Sequence, residues 1–195
     1  KRYLPPDLIQ EILDGSLSLD KPAELRTITV LFSDLKGFTS TSETLGATEI
    51  ATLLNEYLTA MNDVIFEHGG TIDKFIGDAI MVMFGAPKDM DVAHQAERAA
   101  ACANAMQIAM DKMVASWASR GAGHLAMRIG IHQGPAVVGN FGSDRRSDYT
   151  CIGPTVNLAA RIESTAEPGQ VFVSESVRAH LNPGRTESVG SFTMK

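Results

Sequence analysis

A β-hairpin signal followed at once by a long helical segment is the feature that most constrains the fold. Two predicted strands, 71–76 and 79–84, are separated only by Gly77 and Asp78, a dipeptide typical of a tight turn between antiparallel strands. In residues 92–117 the apolar side chains then recur at steps of four and three, which predicts a helix with one buried face. Alanine occupies much of that face, and small side chains let a helix lie close on a sheet.

The rest of the chain continues this alternation of strands and helices. A β-branched run at 26–33 predicts a buried strand, and helical periodicity predicts a helix from Thr48 to His68. Further strands are predicted at 125–132, 136–141, 149–152 and 171–173, and further helices at 155–165 and 174–181. The order βαββαβ in the first two-thirds of the chain predicts an α+β sandwich, with an antiparallel sheet and helices on one face.

Two local expectations concern a break and a cap. Gln133-Gly134-Pro135 separates the strands predicted at 125–132 and 136–141. Ser174 is a residue type favoured at helix N-termini, and we expect it to cap the helix at 174–181.

Composition and charge exclude several classes of protein. The net charge is −6, from 17 basic and 23 acidic residues, and no basic run is present, so nucleic acid is not an expected partner. The two cysteines, Cys102 and Cys151, lie in apolar stretches; they are too few for a secreted disulfide scaffold and fit a cytoplasmic setting. No apolar run reaches the roughly 18 residues of a membrane helix, and no signal peptide is visible.

The first 22 residues are predicted to form an N-terminal helical segment that precedes a catalytic domain at 23–195. Pro5 and Pro6 suit a helix start, and Gly15 and Pro22 break the helix. The segment either packs at the edge of the domain or transmits a signal to it. Because both chain ends look cut, we expect an upstream regulatory domain in a longer protein, with a membrane anchor as an alternative.

Two aspartates lie where predicted strands end. Asp34 follows the strand at 26–33, and Gly37 then permits a tight turn into a helix whose free N–H groups suit phosphate. Asp78 lies at the tip of the hairpin. Each aspartate alone is explained as well by a cap or a turn. Together, beside a phosphate-binding turn, they are the pair that Mg²⁺-dependent phosphoryl chemistry requires.

A polar pair interrupts an otherwise apolar helix. Asn157 and Arg161 are four residues apart and therefore project from one helix face. They form either a solvated stripe or a group that binds an anionic transition state, in which arginine supplies fixed charge and asparagine supplies orientation.

Four segments closely resemble, in order and over nearly the whole chain, the signature segments of class III nucleotidyl cyclases. They are FSDLKGFT from Phe32, FIGDAIMVMFG from Phe75, MRIGIHQG from Met127 and VNLAAR from Val156. The resemblance implies a ferredoxin-like core and an adenylate cyclase that converts ATP to 3′,5′-cyclic AMP and pyrophosphate. It also implies a head-to-tail homodimer with two sites, each taking its metal aspartates from one subunit and its base- and ribose-binding residues from the other.

The resemblance assigns a role to each residue that faces the phosphates. Asp34 and Asp78 match the aspartates that hold two Mg²⁺ or Mn²⁺ ions. The turn that cradles phosphates through its backbone is matched by Leu35, Gly37, Phe38 and Thr39. Basic positions that contact the triphosphate are matched by Arg128 and Lys195.

The remaining roles concern the nucleoside. Asn157 and Arg161 match the pair that orients the ribose and stabilises the transition state. Lys74 matches the residue that reads adenine, where a glutamate would indicate GTP. Thr150 stands where many adenylate cyclases have aspartate; it resembles a subgroup that responds to bicarbonate, and its hydroxyl can accept a hydrogen bond from the adenine amino group.

Two alternatives stay open at this point. A guanylate cyclase would perform the same chemistry on another base, and Lys74 disfavours it. A catalytically silent cyclase-like module would dimerise or sense nucleotide, and the presence of Asp34, Asp78, Asn157 and Arg161 disfavours it.

Overall fold

A computed structural model of the chain describes residues 6–16, 22–143 and 146–192. The helices are α1 Pro6–Leu13, α2 Phe38–Thr44, α3 Ala47–Glu67, α4 Val92–Trp117, α5 Pro154–Thr165 and α6 Glu175–Arg178. The strands are β1 Glu24–Lys36, β2 Thr71–Ile76, β3 Ala79–Phe84, β4 Ala126–Ser143, β5 Arg146–Ile152 and β6 Val171–Val173. A 3₁₀ turn, Ala118–Arg120, follows α4.

The strands form one sheet in the order β2-β3-β1-β4-β5, and β6 pairs with β4. The β4–β6 pair is parallel and all the other pairs are antiparallel. The predicted α+β class, with an antiparallel-rich sheet and helices packed on it, is therefore confirmed. Strand β1 is central and pairs with β3 on one side and β4 on the other.

The helices are divided between the two faces of the sheet. Side chains alternate between faces along a strand, so Leu31 packs in the core under α3 and α4, whereas Val30 packs in a second core with Ala159 of α5. Helices α3 and α4, the two helices of the βαββαβ order, lie on one face as predicted, whereas α5, which follows that order, packs on the opposite face. The sequence at Gly130 explains the packing, because a Cβ atom there would collide with the backbone of Ala159 and Glu163.

The predicted break at Gln133-Gly134-Pro135 was wrong, because β4 runs through it without interruption. At residues 133–136 β4 pairs only with β1, since its pairing with β6 ends at Ile131 and its pairing with β5 begins at Val137. Proline is tolerated in a strand where one side makes no hydrogen-bond ladder.

The last predicted helix is shorter than expected and lacks the expected cap. Helix α6 ends at Arg178, and Ser174 is its N-cap residue, but the Ser174 side chain accepts no hydrogen bond from the first turn of the helix. The Ser174 hydroxyl instead lies 2.8 Å from Nδ1 of His132 and 2.8 Å from the hydroxyl of Ser176. The contact with His132 therefore takes the place of a capping hydrogen bond from the Ser174 hydroxyl.

Helix α1 falls within the predicted N-terminal helical segment, and the role of that segment stays a prediction. Across the described ranges, every helix is too short or too polar to cross a lipid bilayer.

Candidate active site

Asp34 and Asp78 meet at one end of the sheet. Strands β1 and β3 pair antiparallel, with Ser33 opposite Ile80, so the end of β1 lies beside the β2–β3 turn that carries Asp78. The backbone N–H of Leu35 donates to Oδ2 of Asp78 over 3.0 Å. The approach of these two predicted residues, inferred from the hairpin signal, is confirmed.

The surroundings of Asp78 disfavour its ionisation. Burial raises the pKa of Asp78, and the adjacent Asp34 carboxylate raises it further, while the N–H of Leu35 opposes the shift. Mg²⁺ is typically held in proteins by one or two carboxylates together with substrate phosphates. The two aspartates fit that donor set. In the described ranges, neither this pair with its neighbours nor any other set of histidine, cysteine and acidic residues forms a group of three or more that could hold a metal.

The predicted phosphate-binding turn lines the same cavity as the two aspartates. Gly37 has φ of 90°, a left-handed conformation that favours glycine, and α2 begins at the next residue. The cavity has a volume of 410 Å³. Its lining includes Asp34, Leu35, Gly37, Phe38, Thr39 and Asp78. The two predicted metal-binding aspartates and the four predicted residues of the phosphate-binding turn therefore surround one cavity.

Arg128 connects Asp34 to α5. It lies directly opposite Asp34 in the β1–β4 register, and its Nη2 donates to Oδ2 of Asp34 over 3.0 Å. On its other side, Nε lies 2.5 Å from Oε1 of Glu163, and Nη1 donates to the carbonyl oxygen of Ser164 over 3.2 Å. Burial raises the pKa of Glu163, and the positive charge of Arg128 opposes that shift.

Lys74 and Thr150 come together around a residue that the sequence analysis did not single out. The Thr150 hydroxyl donates to Oδ2 of Asp73 over 2.9 Å, and Nζ of Lys74 lies 3.3 Å from the same oxygen. The Lys74 side chain is half-exposed, whereas Thr150 and Asp73 are buried. The two predicted base-reading residues, which lie on β2 and β5, therefore form one cluster.

Asn157 and Arg161 are exposed on α5. Neither side chain has a hydrogen-bond or ion-pair partner among the described residues, so they stay apart from both clusters above. Lys195, the other predicted triphosphate contact, lies outside the described residues.

The sequence analysis missed Asp73 and Glu163. Glu163 is four residues after Ala159, which is buried against the sheet, so its position on the buried helix face was visible in the sequence. Asp73 carried a weaker signal, a carboxylate within a strand and next to Lys74. Thr150 is 77 residues from Asp73 along the chain, and Arg128 is 35 residues from Glu163. Short-range patterns do not identify such pairs.

Comparison with known proteins identifies the family. Residues 21–195 match the family model of the adenylate and guanylate cyclase catalytic domain. An adenylate cyclase of Anabaena cylindrica is 40% identical over 190 residues, which cover 93% of this chain and 36% of the relative. The chain therefore spans about a third of the length of that curated relative.

Two solved structures share the architecture as well as the sequence. The adenylyl cyclase CyaB from P. aeruginosa superposes with a TM-score of 0.80 at 41% identity, covering 82% of each chain. The guanylyl cyclase Cya2 superposes with a TM-score of 0.77 at 41% identity, covering 86% of this chain and 90% of that one. Together with the match over residues 21–195, these likenesses confirm the resemblance found in the sequence: the chain belongs to the family of adenylate and guanylate cyclase catalytic domains.

Proposed function

We propose that this chain is an adenylate cyclase that converts ATP to 3′,5′-cyclic AMP and pyrophosphate. The observation that carries the proposal is the convergence of Asp34, Asp78 and the Gly37 turn on one 410 Å³ cavity. The cluster of Lys74, Asp73 and Thr150 supports adenine as the base.

In the reaction, the ribose 3′ oxygen attacks the α-phosphorus in line and the bond to the pyrophosphate leaving group breaks. Two Mg²⁺ or Mn²⁺ ions, held by Asp34 and Asp78, supply positive charge to the phosphates when bound. Backbone N–H groups of the Gly37 turn hold phosphate oxygens, and Arg128 and Lys195 contact the triphosphate. Positioning and electrostatic stabilisation account for most of the acceleration in such transfers.

Asn157 orients the ribose, and Arg161 stabilises the charge that develops at the α-phosphoryl group. Because a guanidinium is always charged and carries a planar fork of donors, it suits an anionic transition state. Lys74 donates to the ring nitrogen N1 of adenine, and the oxygen of Thr150 accepts from the 6-amino group.

The active site is completed by a second copy of the chain. Asn157 and Arg161 are exposed and have no partner among the described residues, as expected of groups that face a site on another subunit. In the proposed head-to-tail homodimer, Asp34 and Asp78 of one subunit face Lys74, Thr150, Asn157 and Arg161 of the other. A C₂ dimer of this kind contains two equivalent sites.

A guanylate cyclase is the second candidate, because Cya2 is a guanylyl cyclase at 41% identity. Lys74 disfavours it, because guanine presents an N–H at position 1 and an ammonium group has no lone pair to accept that hydrogen bond.

One assay tests both candidates. The protein is incubated with ATP or GTP and Mg²⁺ or Mn²⁺, and the products are separated by chromatography. We expect cyclic AMP from ATP and little cyclic GMP from GTP, with no product from Asp34→Ala and normal product from the exposed control Asp63→Ala. Cyclic GMP as the main product would favour the second candidate, and the absence of any cyclic product would contradict both.

We also propose that bicarbonate stimulates the enzyme, a response that rests on the resemblance at Thr150. Thr150→Asp should keep the preference for ATP, because a carboxylate also accepts from the adenine amino group, and should reduce stimulation. Cyclic AMP production is measured at fixed pH with and without bicarbonate, with equal chloride as the control. Equal stimulation of both proteins would contradict the role of Thr150.

A further inference from the structure

Asp73 is the buried carboxylate between the two proposed base-reading residues. Its side chain is 1% exposed, and both the Thr150 hydroxyl and the Lys74 ammonium contact its Oδ2 atom. Its other oxygen, Oδ1, is buried and has no hydrogen-bond partner among the described residues. A buried carboxylate with one unpartnered oxygen is costly, which indicates that its position serves something other than stability.

The local backbone places Asp73 where it meets Thr150. In the β2–β3 register Ile72 is opposite Val82 and Lys74 is opposite Met81, so Asp73 is the extra residue of a β-bulge. Residues two apart normally share a face of the sheet. Here Ile72 packs in the core under α3 and α4, whereas Met81, opposite Lys74, packs in the core on the other face. The bulge therefore turns Lys74 away from the face of Ile72.

The donor in the Thr150–Asp73 hydrogen bond determines what Thr150 can recognise. A threonine hydroxyl has one hydrogen to donate and two lone pairs that accept. A free hydroxyl can therefore accept from the 6-amino group of adenine or donate to the 6-oxo group of guanine or hypoxanthine. Once its hydrogen is given to Asp73, the hydroxyl can only accept, and an oxo group opposite it is left unpaired.

We propose that Asp73 is a specificity-determining residue, which fixes the Thr150 hydroxyl as an acceptor and so selects 6-amino over 6-oxo purine nucleotides. This inference rests on the proposed function, in which Lys74 and Thr150 face the purine. Asp73 acts through Thr150 and does not touch the base. The two neighbours also favour the charged form of Asp73, opposing the rise in its pKa that burial causes.

The test compares ATP with inosine triphosphate, which carries the 6-oxo group but lacks the 2-amino group of guanine. Asp73→Leu removes the acceptor and keeps the branching at Cγ. We expect the ratio of kcat/KM for ATP to that for inosine triphosphate to fall about tenfold, the size of one hydrogen bond in a buried site. Asp73→Asn keeps an amide oxygen in place of the carboxylate and should retain most of the ratio.

A double-mutant cycle shows whether Asp73 acts through the hydroxyl. Thr150→Val removes the hydroxyl and should lower the ratio, while Thr150→Ser keeps it. In the Thr150→Val background, Asp73→Leu should cause no further change. A residue that only supported the fold would lower turnover of both nucleotides together and leave their ratio unchanged.

The outcomes separate this inference from the proposed function. An unchanged ratio in a folded Asp73→Leu protein, or an equal fall in the Thr150→Val background, would overturn the role of Asp73 while leaving the cyclase intact. Absence of cyclic product from the wild-type protein with every nucleotide would overturn the proposed function itself. Folding is checked by circular dichroism, and Asp73→Ala takes the place of Asp73→Leu if the larger side chain prevents folding.

Discussion

The charged cluster around Asp34 and the polar pair on α5 differ in how their side chains are partnered. Arg128 lies between Asp34 and Glu163, at 3.0 Å and 2.5 Å, and all three side chains are largely buried. Asn157 and Arg161, on the same helix as Glu163, are exposed and unpartnered among the described residues. The first region is organised within one chain. In the proposed homodimer, the second region is completed by the partner subunit.

The difference has a physical reason. Buried charges must be paired because an isolated ion loses its hydration, so the Asp34 cluster is preformed. An exposed arginine keeps its hydration, so leaving it without an anionic ligand or a second subunit costs little free energy. Helix α5 belongs to both regions, since Glu163 faces the sheet and Arg161 faces outward.

The largest effect should come from removing either aspartate of the first region. Asp34→Ala or Asp78→Ala should lower cyclase activity about 1,000-fold or more, because phosphate charge is then left without its cations. The fold should persist, because Asp78→Ala removes a carboxylate that burial and Asp34 both disfavour, and Asp34→Ala leaves Arg128 paired with Glu163. Activity is measured as cyclic AMP formed, and folding by thermal unfolding. Near-normal activity in either variant would contradict the metal assignment.

Mixing two inactive variants tests whether the two regions work in different subunits. Asp34→Ala and Arg161→Ala each spoil both sites of a homodimer, but a heterodimer has one site with both lesions and one with neither. Equal mixing should restore about a quarter of wild-type activity if subunits exchange freely. Exchange is verified with differently tagged subunits. Inactivity of a demonstrated heterodimer would contradict the proposal that Asp34 and Arg161 of different subunits form one site.

The sequence predicted those parts of the molecule that local patterns determine. Strands β2 and β3 match the predicted ranges, and α3 and α4 match to within a residue, because glycines and strong periodicity bound them. Gly37 and the approach of Asp34 to Asp78 followed from the turn signals. The continuous β4 and the uncapped α6 were missed, because each depends on a neighbour distant in sequence: the missing second partner of β4, and His132 for Ser174.

The contacts between the proposed site residues were harder to predict from the sequence than the residues themselves. The proposed metal-, phosphate-, base- and ribose-binding residues were named from the sequence, whereas Asp73 and Glu163 were not. The sequence also did not show that Arg128 contacts Asp34 and Glu163, or that Thr150 donates to Asp73. These contacts depend on strand order and on a bulge in β2, which a single sequence does not specify.

A smaller effect is expected at the proposed base reader. Lys74→Glu should lower kcat/KM for ATP roughly 10- to 100-fold, because a carboxylate cannot donate to adenine N1 and lies beside Asp73. Thr150→Asp should change ATP discrimination less, so Lys74 dominates. Exposed Lys112→Glu on α4 is the control for the charge change. ATP kinetics unaffected by Lys74→Glu, or wild-type turnover of GTP as fast as ATP, would contradict the base-reading role but not the cyclase assignment.

The link between the sheet and α5 should be visible in stability. Glu163→Ala leaves Arg128 with one of its two acidic partners and should lower the free energy of unfolding by about 2 kcal/mol. Arg128→Met should cost less in the Glu163→Ala background than in the wild type, since the pair is then already broken. Urea denaturation measures both. Additive effects would indicate that the 2.5 Å contact contributes nothing, and the exposed Glu175–Arg178 pair on α6 is the control, where Glu175→Ala should have no measurable effect.

The smallest effect is a change in the pH dependence of stability at Asp73. Burial raises the pKa of Asp73 in the folded protein, so between the ordinary and the raised value the folded state binds more protons than the unfolded state. The contribution of Asp73 to the free energy of unfolding therefore falls as the pH rises from about 4, the ordinary aspartate value, through the raised value. Asp73→Asn has no such contribution, so its stability relative to wild type should increase across this range and level off above it. Urea denaturation at a series of pH values measures the difference, with exposed Asp63→Asn as the matched control; a difference independent of pH would show that Asp73 is as easily ionised in the folded chain as in the unfolded one.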